Sequence, residues 1–167
     1  FGALAELHTE GVIKPGELRV VLRATGCDDY LRELIERCGI GGIVTLEPSI
    51  PYRAALAEML AADALLVLQA ANCNYQVPAK LYEYLRARRP ILALTDPAGD
   101  TAAVLRNAGI DTIARLDSQQ EISRVLVHFL ALLRQQRAPV AGEAQVAAAS
   151  RRARTIELAK VLDAVAG

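Results

Sequence analysis

Lys80 and Glu83 stand three residues apart, just beyond Pro78. On a helix that spacing puts a cation and a carboxylate on one face. Pro78 suits the start of such a helix, where a missing amide hydrogen does no harm. The free amides of the first turn then carry partial positive charge and suit an anion such as a diphosphate. Lys80 adds a full charge there. One turn on, the Glu83 carboxylate can accept hydrogen bonds from the two vicinal hydroxyls of a ribose. Cation and amides first, carboxylate second, is the order a nucleoside diphosphate presents. The plain alternative is an ordinary surface ion pair between Lys80 and Glu83, worth about 0.3 kcal/mol.

The elements that must hold these residues follow from the hydrophobic pattern. The spacing predicts a helix from Pro78 to about Arg88, then a buried strand over Pro90–Leu94. Further strands are expected over Leu18–Arg23, Gly42–Leu46, Ala64–Leu68 and Thr112–Ala114. Helices are expected over residues 1–10, from Asp28 (as a cap) to Cys38, from Pro51 to about Ala62, after the loop Asp96–Asp100 to about Asn107, and from Ser118 to about Gln136. Strands that alternate with helices imply βαβ units. The expected fold is α/β: a Rossmann-like parallel sheet with helices on both faces. Ligands then bind beyond the carboxyl ends of the strands. Residues 1–137 are read as this domain, 138–149 as a linker and 150–167 as a C-terminal helix.

Composition narrows the class. Hydrophobic residues make up 53% but aromatics only 4%, which favours helices on short aliphatic strands over an aromatic-rich β-sandwich. Nineteen basic residues balance nineteen acidic ones, so no basic excess invites nucleic acid. Cys27, Cys38 and Cys73 form no CxxC pair, and His8 and His128 are the only histidines. This argues against structural zinc and for reduced thiols in the cytoplasm. No apolar run approaches the roughly 18 residues of a membrane span. The first residues, Phe1 to Leu7, read as a helix already under way, so the chain is expected to be part of something longer.

The stretch Val77-Pro78-Ala79-Lys80-Leu81-Tyr82-Glu83-Tyr84-Leu85-Arg86-Ala87-Arg88-Arg89-Pro90-Ile91-Leu92-Ala93-Leu94 resembles the retaining GT-B glycosyltransferases of the group 1 type, in which the phrase PxKLxEYL…RPILAL recurs. The likeness is close over residues 77–94 and looser from about 18 to 136. It implies the donor-binding, C-terminal half of a two-domain enzyme that transfers a sugar from a UDP-, GDP- or dTDP-sugar to a glycan or glycoconjugate. No separate cofactor or metal is implied. By the resemblance Glu83 binds the donor ribose, and the diphosphate lies around Lys80 and Leu81. Many relatives carry a second glutamate eight positions earlier, near the sugar. Here that position is Tyr75, so Asn74, Tyr75, Gln76 and Val77 are the sugar-side candidates. Glu47, Pro48 and Ser49, with Gly26, are candidates for the base pocket; a plain turn is the alternative at each place.

The resemblance identifies no catalytic residue in this chain. It implies an N-terminal acceptor domain as partner, a central strand before Phe1, and a location in the cytoplasm or at the inner face of a membrane. Without that strand the sheet is expected to pair across the gap or to borrow a strand. The last helix, with Ile156, Ala159, Leu162 and Val165 on one face, is expected to pack on its own domain or to promote self-association. Arg86, Arg88 and Arg89 read as a solvated helix end that complements the macrodipole. The competing reading is a Rossmann-like nucleotide-binding module without catalysis. A receiver-like signalling domain lacks its acidic cluster here.

Overall fold

The computed structural model describes residues 1–166. In chain order the elements are α1 (Gly2–Thr9), β1 (Val20–Arg23), α2 (Asp28–Arg37), β2 (Val44–Glu47), α3 (Tyr52–Ala61), β3 (Leu65–Leu68), α4 (Ala79–Ala87), β4 (Ile91–Leu94), α5 (Asp100–Asn107), β5 (Ile113–Ala114), α6 (Gln119–Arg134), α7 (Glu143–Ala148) and α8 (Arg151–Ala166). A single 3₁₀ turn at Ala71–Cys73 lies between β3 and α4. All strand pairs are parallel. The α/β class and the five expected strands are present.

Alternation along the strands builds two cores. Leu65 and Val67 of β3, with Ile91 and Ala93 of β4, pack with Leu81 and Leu85 of α4 and Leu105 of α5. The intervening Leu66, Leu92 and Leu94 face the other way, toward Leu7 of α1 and Leu126 and Phe129 of α6. Successive strand side chains point to opposite faces, so a run such as Ile91–Leu94 must be apolar throughout when both faces are covered. All four of its residues are buried.

The sheet does not close as expected. β1 pairs with β2 in register Val20↔Val44, and β3, β4 and β5 form a separate three-stranded sheet. No direct pairing joins β1 to β3. Side chains of α1, α6 and both sheets meet in one cluster, so packing holds the two sheets on a shared core. Leu65 and Gln69 donate their amides to Pro90 and Leu94 on the β4 side. By alternation the polar backbone groups of Leu66 and Leu68 point to the outer edge of β3. Leu68 there is 51% exposed.

Two local expectations change. Cys27 occupies the cap position of α2, while Asp28 lies in the first turn and accepts a hydrogen bond from the Thr25 hydroxyl. Residues 138–149 are no bare linker: they contain α7, and Ala141, Val146 and Ala149 pack on the α4–α5 core. The four apolar residues of the α8 face find little cover, with Ile156, Leu162 and Val165 all exposed and Arg154 resting 5.8 Å from the ring centre of Tyr82. Ser118 does cap α6, accepting from the Glu121 amide at 3.3 Å. No helix among the described residues is long and apolar enough to cross a membrane.

Candidate functional site

Helix α4 is fixed by Leu81 and Leu85, 1% and 2% exposed. Burial of each contributes about 1.5–3 kcal/mol, which anchors the helix against β3 and β4. Pro78 sits just before the helix, with φ −58° and ψ 131°. The Leu81 amide donates to the Pro78 carbonyl at 2.9 Å. Leu81 is therefore corrected as a diphosphate ligand: its side chain is in the core and its amide is occupied. The amides of Ala79 and Lys80 have no acceptor among the described residues, and they remain the donors of the first turn.

Lys80 is exposed and lines a cavity of about 320 Å³ with Leu66, Val67, Leu68, Pro78, Leu81 and Tyr84. This cavity opens on the outer edge of β3. Glu83, half-buried, turns toward α3 and accepts a hydrogen bond from the Tyr52 hydroxyl at 3.2 Å. Lys80 and Glu83 form no ion pair with each other. The plain surface-pair reading therefore fails: both charges are left free for another partner.

Burial and the negative charge of Glu83 raise the Tyr84 phenol above its ordinary value of 10.0, burial being the larger cause. A raised folded value means that stability from the protonated phenol is full below pH 10 and is lost as pH climbs through the folded value. Absorbance titration at 295 nm should show a late phenol ionisation that Tyr84→Phe removes. An unchanged titration curve in that variant would contradict the environment described.

The base-pocket candidates lie at the carboxyl end of β2. The Pro48 carbonyl accepts from the Arg23 guanidinium at 2.6 Å, and Arg23 also grips Glu58 of α3 through two bonds of 3.2 and 2.6 Å. Glu47 pairs with Arg19 at 3.5 Å. Ser49 is exposed. Gly26 has φ +76°, a left-handed turn that a side chain would strain, although the space around it is open. Gly26 is thus a turn residue, and crowding gives it no further role. Tyr52 lies three residues beyond Ser49, so the chain keeps the two within roughly 11 Å. The Tyr52–Glu83 bond in this way ties the β2 loop to the middle of α4.

The sugar-side loop is held from beneath by three buried polar residues, Gln69, Thr95 and Thr101. Gln69, 8% exposed, donates to the carbonyls of Cys73 at 2.9 Å and Gln76 at 2.7 Å. The Thr95 hydroxyl donates back to Gln69 at 3.1 Å, and Thr101 donates to the Gln76 carbonyl at 3.2 Å. Asn74 is turned inward: its amide donates to Asp96 at 2.6 Å, while its side-chain oxygen is buried without a partner. Val77 packs on the α4–α5 core. Only Tyr75, 94% exposed, and the Gln76 side chain face solvent. The loop thus offers two exposed side chains where four residues were expected to serve.

A second cavity, of about 530 Å³, lies beyond β3, β4 and β5 and is lined by Gln69, Ala70, Ala71, Asp96, Arg115, Leu116 and Asp117. A hydrogen bond from the Ala98 amide, then one from Asn74, holds the Asp96 carboxyl below its usual range. Arg115 does the same for Asp117 by two bonds of 3.1 and 3.0 Å. Arg115 thus matches Asp117, while Asp96 is held by neutral amides and leaves the cavity one negative charge in excess. Among the described residues no group of three His, Cys, Asp or Glu side chains is placed to hold a metal.

Of the three clustered arginines, Arg86 is exposed as a solvated helix end, and the other two have partners within the fold. Arg88, with φ +52° at the end of α4, pairs with Glu143 of α7 at 3.0 Å, and Arg89 donates to the Leu60 carbonyl of α3. No protein-family model matches the chain, and neither a curated protein nor a solved structure matches it.

Proposed function

We propose that this chain binds the nucleoside diphosphate of a sugar nucleotide, as the donor half of a glycosyltransferase. The observation that carries the reading is the alignment made by the Tyr52–Glu83 bond. From the β2 loop through Glu83 to Lys80 and the free amides of α4, the groups follow the order base, ribose, diphosphate. The carboxylate lies at a helix face open to solvent, and among the described residues no cation pairs with it. The sugar would project toward Tyr75 and Gln76. The acceptor, and with it the N-terminal acceptor domain, belongs to this proposal.

Titration of the chain with UDP, GDP and dTDP by calorimetry tests it. The diol contact predicts that UDP or GDP binds more tightly than dTDP, which lacks the 2′-hydroxyl. Lys80→Ala should weaken every diphosphate by about threefold to tenfold, since a charged hydrogen bond is worth about 1 kcal/mol or more at an open site. Equal binding of UDP by the parent chain and Lys80→Ala, or no binding by the parent, would refute the assignment.

A second reading draws on Tyr75. A phenol, 94% exposed, stands where the resemblance places a sugar-side glutamate, and this favours a module that binds a nucleotide without transferring a sugar. Release of UDP from a UDP-sugar on addition of acceptor glycans would decide for transfer.

A further inference from the structure

We infer that Tyr52 is a positioning residue: its hydroxyl holds the Glu83 carboxylate in the orientation that receives the vicinal diol of a ribose. This rests on the ribose assignment of Glu83. The phenol donates to Oε1 at 3.2 Å. A carboxylate has two oxygens and about four acceptor positions, so one donated bond leaves the second oxygen whole for a diol. Oε2 has no partner among the described residues. Glu83 therefore has one fixed oxygen and one open oxygen.

A packing role does not explain Tyr52. The side chain is 66% exposed, and α3 has no buried residue. Its ring adds little to either core, and the hydroxyl reaches 31 positions along the chain to a single carboxylate. Helix α3 is itself tied down at its other end, through Glu58 to Arg23 of β1 and through the Leu60 carbonyl to Arg89. The phenol thus extends from a braced element. A flexible glutamate held in advance gives up less rotamer freedom when the ribose arrives.

The test compares UDP with 2′-deoxy-UDP on the parent chain, Tyr52→Phe and Glu83→Gln, with GDP and 2′-deoxy-GDP as a second pair. Tyr52→Phe keeps the ring and removes only the donor, and circular dichroism verifies its fold. The expected result is that the ribo-over-deoxy preference of the parent falls by about threefold to tenfold in Tyr52→Phe, the loss set by one hydrogen bond. A preference that stays the same or rises in Tyr52→Phe, while Glu83→Gln abolishes it, overturns the role of Tyr52 and leaves the ribose site standing. A parent chain that binds both nucleotides with equal affinity, or a Glu83→Gln variant that keeps the parent preference, overturns the ribose site and the role of Tyr52 together.

Discussion

Replacing Glu83 with alanine should lower UDP affinity by roughly tenfold to a hundredfold, the cost of hydrogen bonds to a charged group. The fold should survive, because Glu83 is half-buried and its partner in the chain is a single exposed phenol. The loss should appear as a change in affinity with an unchanged unfolding midpoint. It should also be larger for UDP than for inorganic pyrophosphate, which has no diol to offer and depends on Lys80 and the amides of Ala79 and Lys80. Calorimetry with both ligands separates the two parts of the site. A Glu83→Ala chain that binds UDP like the parent would remove the carboxylate from the proposal. Equal losses for UDP and pyrophosphate would show a disturbed helix start in place of ribose recognition, since removing a negative charge by itself favours an anion.

The second large effect concerns stability. Gln69→Leu should destabilise the chain by about 2–4 kcal/mol, since it removes three hydrogen bonds worth about 0.5–1.5 kcal/mol each. The side chain satisfies the Cys73 and Gln76 carbonyls and takes the Thr95 hydroxyl, all from the end of β3. Leucine fills a similar volume and restores none of these bonds. A native domain is stable by only about 5–15 kcal/mol, so this is a large share. Denaturant unfolding would show a lower midpoint with an unchanged slope. The loop over residues 70–77 should loosen as well, and any contribution of Tyr75 and Gln76 to sugar binding should fall with it. An unchanged midpoint would mean that the loop is held by Thr101 and by the Asn74–Asp96 pair alone.

Much of the framework was legible in the residues. Ile91–Leu94 reads as a doubly covered strand because every residue is aliphatic, and Ser118 reads as a cap because its hydroxyl can accept from a first-turn amide. Pro78, Lys80 and Glu83 mark one helix start, with Pro78 just before the first turn. The misses share a physical cause. Helix α7 has a weak apolar stripe, and it takes shape by docking Val146, with the flanking Ala141 and Ala149, on a core built from distant strands. Leu81 lies one residue past Lys80 in a promising phrase, yet the rotation of the helix turns it inward. Gln69 looks like the first polar residue of a loop, and only the loop folding back above it makes it buried. The contact between Tyr52 and Glu83 joins α3 to α4, and local spacing carries no trace of it. The split between β1 and β3 is likewise a matter of packing between elements.

The location of the nucleotide is tested most directly by following backbone amide resonances of the chain during a UDP titration. Binding at the start of α4 predicts the largest shifts at Ala79, Lys80 and Glu83, with Tyr52 moving as its phenol shares the carboxylate. Shifts centred instead on Ala71, Leu116 and Asp117 around the larger cavity, with α4 silent, would contradict it.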